Sequence, residues 1–343
     1  MKIGIIGRFA DDEELLDGQT IKTKILRDEL IKIYSKSNVG YVDVYKYKIK
    51  FIIILIRIIL LFKKSDVIIV LLSENGRKFI FPFLYYINKI FKRKVFHDVI
   101  GGMFANDLKE NQRTKIYLKV FKEHWVETES MKKQLLEFNV NNVRVIPNFK
   151  PLKIISNEEL YCGDKISFCT FSRVTKSKGI TDAIETIVKI NKERGNKVTL
   201  DIYGEVENIY EEEFYKLLEK YKEFINYKGK VHYTKSVEVI KKYYMMLFPT
   251  TFEGEGFPGT IIDAFFAGTP VIATDWKYNK EILSNNITGI IYDYKNKNAF
   301  YDSINYCIEN PNKINEMRIN CLNEAKKYLS ENIMNQIIER IEN

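Results

Sequence analysis

The chain has 343 residues, a formal net charge of +9, 45% apolar residues and 13% aromatic residues. That composition excludes a disordered or collagen-like chain, and the length exceeds the usual single-domain range of roughly 100–200 residues, so two domains with separate cores are expected. The charge is uneven, since residues 1–160 hold 29 Lys+Arg against 19 Asp+Glu while 161–343 is close to neutral.

A basic first half attracts nucleic acid, anionic lipid or phosphorylated small molecules; the plainer alternative is a lysine-rich surface with no such partner. No RNA- or DNA-binding motif is present, so no nucleic-acid partner is expected. Cys162, Cys169, Cys307 and Cys321 show neither CxxC nor Cys/His spacing, which points to reduced, mostly buried thiols and to no metal site. The opening "MKIGIIGRF" lacks the apolar core and cleavage site of a secretory signal, and a cytoplasmic location is expected.

Short β-branched runs then alternate with helical patterns: "KIGIIG" and 19–36, "YVDVY" and 50–62, "DVIIVLLS" and 77–91, "KVFHDVI" and 106–121. The alternation continues through "HWVET" and "NVRVI" and predicts parallel strands with helical crossovers. It breaks at "PNFKPLKIISNEEL", where Pro147 and Pro151 mark a linker. A second series follows, with strands at "KISFCTF", "KVTLDIYG", "KVHY", "MMLFPT", "PVIATD" and "TGIIYD". The expected architecture is α/β: two doubly wound, Rossmann-like domains over 1–152 and 161–325, with a helix in 326–343 packing back on the first. Ligands of such sheets collect at the carboxyl ends of the strands, so a cleft between the domains is the expected active site.

"FIIILIRIILLF", 51–62, is too short to span a bilayer, which takes about 20 apolar residues, and it carries Arg57 in the middle. Lys46, Lys48 and Lys50 precede it and Lys63 and Lys64 follow it. Two readings stay open, a helix lying in the membrane interface with snorkelling lysines and a crossover helix packed on the sheet.

"LFPTTFEGEGFPGTIIDAFFAGTPVIATD" reads as a strand ending at Pro249, a glycine-rich loop, a helix from about Thr260 to Ala267, a stop at Gly268 and another strand. A helix N-terminus carries roughly half a positive charge and unpaired N–H donors, which suits a phosphate. Gly254, Gly256 and Gly259 let the backbone approach closely and take positive φ where needed. Glu255 in the loop and Asp263 one turn into the helix are placed to grip hydroxyls, because a carboxylate accepts two hydrogen bonds from a vicinal diol. Phosphates between two hydroxyl-bearing ends describe a sugar nucleotide. "FSRVTKSKGI" adds Arg173 and Lys178 at another strand's carboxyl end, two cations able to neutralise a departing diphosphate as a metal does elsewhere.

With "SRVTKSKG", the Glu255–Asp263 pair, "AFFAGTPVIATD", "IPNF" at 146–149 and "DIYGE" at 201–205, the second half resembles a retaining glycosyltransferase of family 4, of GT-B architecture. The first half resembles it more weakly, through "DGQTIKTK" and "VETESMKK". The resemblance implies sugar transfer with retention from a nucleotide-linked donor held in the second domain to an acceptor in the first, with no metal and no other cofactor. It implies that Arg173 and Lys178 clamp the diphosphate, that Glu255 holds the transferred sugar, and that Asp263 takes the ribose diol. Asp263 stands where the family has Glu, one methylene longer, so the ribose contact would be closer or bridged by water. Gly256, Phe257, Pro258, Gly259 and Thr260 are further donor-binding candidates. Gly18, Gln19 and Thr20 are either the first domain's donor-covering loop or a plain helix N-terminus.

Relatives place a histidine at the acceptor side. His97 and its neighbour Asp98 in "KVFHDVIGG" are the candidates, or else strand residues pointing into the sheet; His124 and His232 have no site context. The expected donor is a UDP-sugar, and the expected acceptor is a glycan. The basic first half, with the apolar 51–62 and "FIFPFLYY" helices, points to a lipid-linked acceptor in bacterial surface polysaccharide synthesis and to peripheral contact with an anionic membrane at its inner face. An epimerase of the same architecture and a non-catalytic sugar-nucleotide-binding partner stay open as alternatives. The first is disfavoured by scarce histidine, and the second draws on the altered acid. A dinucleotide oxidoreductase is not expected, since "GIIGRF" lacks the full glycine fingerprint.

Overall fold

The computed structural model describes the chain apart from residues 14, 16, 112, 164, 196 and 197, and apart from the side chains of residues 47–49 and 194. Lys48, one of the basic residues before the 51–62 run, thus lies outside the described side chains. The chain splits into two compact units, Met1–Phe149 with Ser330–Asn343, and Lys150–Leu329.

Unit 1 is built on six strands, β1 (Ile3–Gly7), β2 (Val39–Asp43), β3 (Val67–Leu71), β4 (Lys94–Asp98), β5 (Glu123–Val126) and β6 (Val143–Val145). They are all parallel and run in the order β2-β1-β3-β4-β5-β6. β1 and β3 are buried along their whole length, which is why both read as continuous apolar runs rather than as alternating ones. Three long helices cross over between the first strands: α1 (Gly18–Tyr34), α2 (Tyr47–Lys64) and α3 (Glu74–Phe91). α2 buries Ile54, Ile58, Leu61 and Phe62, the spacing of one helical face. The single helix expected over 106–121 is two, Phe104–Glu110 and Thr114–Leu118. They separate because Asn111 leaves helical dihedrals, at φ −127° and ψ 85°. The last helix, Ser330–Glu342, is tied to α1 by Ser330 Oγ donating to Glu29 (2.5 Å) and Tyr34 Oη donating to Glu342 (2.7 Å).

Unit 2 repeats the plan with β7 (Ser167–Phe171), β8 (Thr199–Tyr203), β9 (Ile225–Gly229), β10 (Met245–Phe248), β11 (Val271–Thr274) and β12 (Gly289–Tyr292), ordered β12-β11-β10-β7-β8-β9 and all parallel. The strand expected at "KVHY" lies earlier, at β9. Ile225 is the buried residue that pairs opposite Leu200, whereas no residue of 230–233 is buried and Tyr233–Lys235 form a 3-10 turn. From β7 the chain winds outward through β8 and β9, and it then returns to β10 on β7's other side and winds the opposite way. The loops after β7 and β10 therefore face each other at the topological switch point, where a doubly wound sheet leaves a crevice at its carboxyl edge. Among the described residues no helix is long and apolar enough to cross a membrane.

Candidate active site

The loop after β7 delivers the first cations. Thr175 caps the short turn Lys176–Lys178 by accepting from the Lys178 N–H (3.2 Å), and Gly179 then turns the chain into the helix Ile180–Arg194. Gly179 sits at φ 71°, and a Cβ there would come 2.2 Å from the Pro249 carbonyl oxygen, so a side chain is excluded both by conformation and by space. The same close approach lets the Thr251 N–H donate to the Ser177 carbonyl (2.8 Å), locking the two loops together.

Across this junction the Lys178 ammonium lies 2.5 Å from Glu255 Oε2, and Thr250 Oγ1 donates to the same oxygen at 2.9 Å. Both Lys178 and Glu255 are buried. Phe252 completes the group: the Arg173 guanidinium carbon is 5.2 Å and the Lys178 ammonium 5.1 Å from its ring centroid, so one aromatic ring carries two cations. Arg173 is exposed and makes no ion pair among the described residues. The structure thus gathers Arg173, Lys178 and Glu255. Such a group offers one uncompensated positive charge to an anion and one carboxylate to hydroxyl groups.

The rest of the loop is held from below. Phe257 packs edge-on against Tyr328 (5.5 Å between centroids) in the core, and Pro258 leads without a side-chain cap into the helix Gly259–Phe266. Thr260 turns its hydroxyl to Met246 Sδ (3.6 Å). None of Gly254, Gly256 and Gly259 takes a positive φ. At Gly254 a Cβ would come 2.7 Å from the tip of the Phe252 ring, so a side chain there would displace the ring that carries the two cations.

Asp263 does not join the Lys178–Glu255 pair. Its carboxylate is buried and lies 3.1 and 3.2 Å from the Lys150 ammonium. Burial raises its pKa against the opposing pull of Lys150 and of a Ser236 hydrogen bond.

In unit 1, Gly18, Gln19 and Thr20 form the first turn of α1. Asp17 caps it, accepting from the Thr20 N–H (3.2 Å) and hydroxyl (2.8 Å), and the Gln19 carbonyl accepts from the Thr23 hydroxyl (2.8 Å). His97 is fully buried, its ring packed among Phe81, Phe104 and Phe121 and its Nδ1 3.0 Å from His124 Nδ1. Of the two sequence readings, the geometry is that of a residue pointing into the sheet. Burial, with His124, Arg77 and Lys22 nearby, drives the His97 pKa well below the usual histidine range, and burial lowers that of His124 to about 3.

Asp98 belongs to a cluster that sequence reading did not assemble. The buried Lys22 ammonium lies 2.6 Å from Asp98 Oδ1 and 2.9 Å from Glu127 Oε1. Burial works against the Lys22 charge, but the two carboxylates outweigh it and hold its pKa above the ordinary lysine range. Burial raises the Asp98 pKa, with Lys22 opposing and Glu127 adding to the rise. Lys22 and Glu127 lie inside "DGQTIKTK" and "VETESMKK", each among other charged residues, and nothing in either stretch singles them out as partners. Among the described residues no group of three or more His, Cys, Asp or Glu is arranged to hold a metal ion.

Comparison with known proteins adds to this geometry. An uncharacterized glycosyltransferase of Methanocaldococcus jannaschii is 25% identical over 170 residues, 49% of this chain and 42% of that protein, so the match spans less than half of that curated relative. The crystal structure of Anabaena HepE with UDP superposes with a TM-score of 0.78 at 14% identity, over 100% of both chains. Sucrose-phosphate synthase of Thermosynechococcus elongatus does so with 0.74 at 14%, over 99% of this chain and 98% of that one. At such identities these structures establish the fold, which is the GT-B glycosyltransferase architecture of two parallel-sheet α/β domains. Residues 153–328, half of the chain and the half that carries Arg173, Lys178 and Glu255, match the family described as glycosyl transferases group 1, and the chain belongs to that family.

Proposed function

We propose that this protein is a retaining, metal-independent hexosyltransferase that moves a sugar from a UDP-sugar to a lipid-linked glycan, in the synthesis of a bacterial surface polysaccharide. The observation that carries the reading is the Arg173–Phe252–Lys178–Glu255 group at the carboxyl edge of the unit 2 sheet. Arg173 and Lys178 take the charge of the departing diphosphate as the sugar C1–O bond loosens, work that needs fixed positive groups aimed at the developing anion. Backbone N–H groups of Gly256, Phe257, Gly259 and Thr260 assist at the helix N-terminus, where Pro258 has none to give. Glu255 holds hydroxyls of the transferred sugar, and Asp263 holds the ribose diol directly or through water, exchanging part of its contact with Lys150. The acceptor hydroxyl attacks on the face the leaving group vacates and passes its proton to the leaving phosphate oxygen, so configuration is retained without a protein nucleophile.

The UDP donor is supported by HepE, which was crystallised with UDP and with UDP-glucose, and by the pneumococcal O-GlcNAc transferase GtfA, crystallised with UDP and GlcNAc. Unit 1 is the acceptor side, with Asp98 at its sheet's carboxyl edge; Gly18, Gln19 and Thr20 are further donor-binding residues, and the enzyme works in the cytoplasm at the inner face of the membrane. The test is a melting-temperature screen across nucleotide sugars, followed by incubation with the best binder and no acceptor. A UDP-sugar should raise the melting temperature and release UDP slowly. No shift with any UDP-sugar would overturn the donor assignment, and an epimerised sugar would overturn the transferase mechanism.

A further inference from the structure

α2 is an unusual crossover helix. Such a helix buries one apolar stripe on its sheet and turns a polar face outward. α2 buries its stripe, yet its outward face is apolar as well: Ile52 is 73% exposed, Ile53 and Ile56 52% each, and Leu60 50%. Monomeric proteins rarely leave so continuous an apolar face to water unless something covers it.

The charges around this face select the occupant. α2 carries no acidic residue, and its exposed Arg57 and the terminal Lys63 and Lys64 are positive. α3, which packs beside α2, exposes Phe79, Tyr86 and Ile90 together with Lys89 and with Lys78, whose ammonium is paired with Glu74 (2.5 Å). Apolar side chains rimmed by lysine and arginine, with aromatic residues alongside, are what a helix lying in the headgroup region of an anionic bilayer presents. A second copy of the chain fits less well, because a two-fold contact sets like patches together and would bring these cations against one another.

We propose that the outer face of α2 is a monotopic membrane-docking surface that inserts Ile52, Ile53, Ile56 and Leu60 among the acyl chains of anionic phospholipids. The inward stripe of Ile54 and Ile58 keeps the helix on its sheet, so docking needs no unfolding. Arg57, Lys63 and Lys64 stay at headgroup level. This extends the proposed lipid-linked acceptor to the bilayer that would hold it.

The experiment is co-sedimentation of the full chain, without donor or acceptor, with phosphatidylglycerol vesicles and with phosphatidylcholine vesicles. Wild type should pellet with the first and largely remain in solution with the second. I52E/I56E should lower the partition coefficient roughly a hundredfold, the effect of withdrawing two isoleucine side chains from an apolar phase. K63E/K64E should weaken binding about tenfold or more and flatten its salt dependence. Both variants replace outward-facing residues, and unchanged melting temperatures would show them folded. Wild type that ignores phosphatidylglycerol, I52E/I56E that pellets like wild type, or a dimer that I52E/I56E converts to monomer would each overturn the proposal. Because binding is read without turnover, its failure leaves the transferase reading standing, and an inactive enzyme that binds vesicles leaves the docking surface standing.

Discussion

Lys178 and Glu255 lie 77 residues apart in the chain and meet at 2.5 Å, each carried on a loop after one of two adjacent parallel strands. Their union depends on the switch in winding between β7 and β10, which brings two crossover loops to one place. Lys178→Ala should lower kcat by about 10²–10³, the usual effect of removing one electrostatic contact to a developing anion, about 3 kcal/mol. If the pair acts as a unit, Lys178→Ala with Glu255→Ala should cost little more than the worse single change. Steady-state kinetics with a UDP-sugar checks both, and near-wild-type turnover in the single variant would remove Lys178 from the mechanism.

Lys22 neutralises two buried carboxylates at once. Lys22→Met removes the ammonium that Asp98 and Glu127 share and should destabilise the chain by about 3–5 kcal/mol, the range for breaking a buried ion pair from one side. Lys22→Met with Glu127→Gln should recover part of the loss, since one of the two buried carboxylates is then uncharged. Urea denaturation at neutral pH measures both, and an unchanged midpoint for Lys22→Met would show that the cluster holds nothing together.

The His97–His124 pair predicts acid sensitivity. Both rings are buried, and both have folded-state pKa values below the unfolded one, so the stability they contribute is intact above about pH 6.5 and is lost as the pH falls toward the folded value. With His124 lowered to about 3, this residue alone should cost roughly 2 kcal/mol at pH 5. Melting temperatures between pH 7.5 and 5 should fall for wild type and fall less for His124→Leu. Parallel curves for the two proteins would contradict the assignment.

Legibility in the sequence followed what each feature depends on. β1 and β3 were readable because strands buried on both faces must be continuous apolar runs, and the β10 loop was readable because its glycines and acids stand together in one stretch. β9 was misplaced because its single inward residue, Ile225, gives no pattern, while "KVHY" imitates one in an exposed loop. The Lys22 cluster and the histidine pair were not readable, since they depend on register. His97 lies beside His124 only because β4 and β5 pair in that alignment, and Lys22 meets Asp98 and Glu127 across 76 and 105 residues. Lys150 was overlooked for the same reason, as its carboxylate lies 113 residues away.

Lys150 also pairs through its backbone, its N–H donating to the Tyr328 carbonyl at 3.2 Å in a bridge beside Leu329. The segment that opens at Lys150 and closes at Leu329 therefore has its two ends stitched together. Such a segment is a cassette: its two ends lie side by side and run in the same direction, so a ring closed there needs a linker that turns the chain back. Grafting, circular permutation and isolated expression all have a natural cutting point in this one bridge.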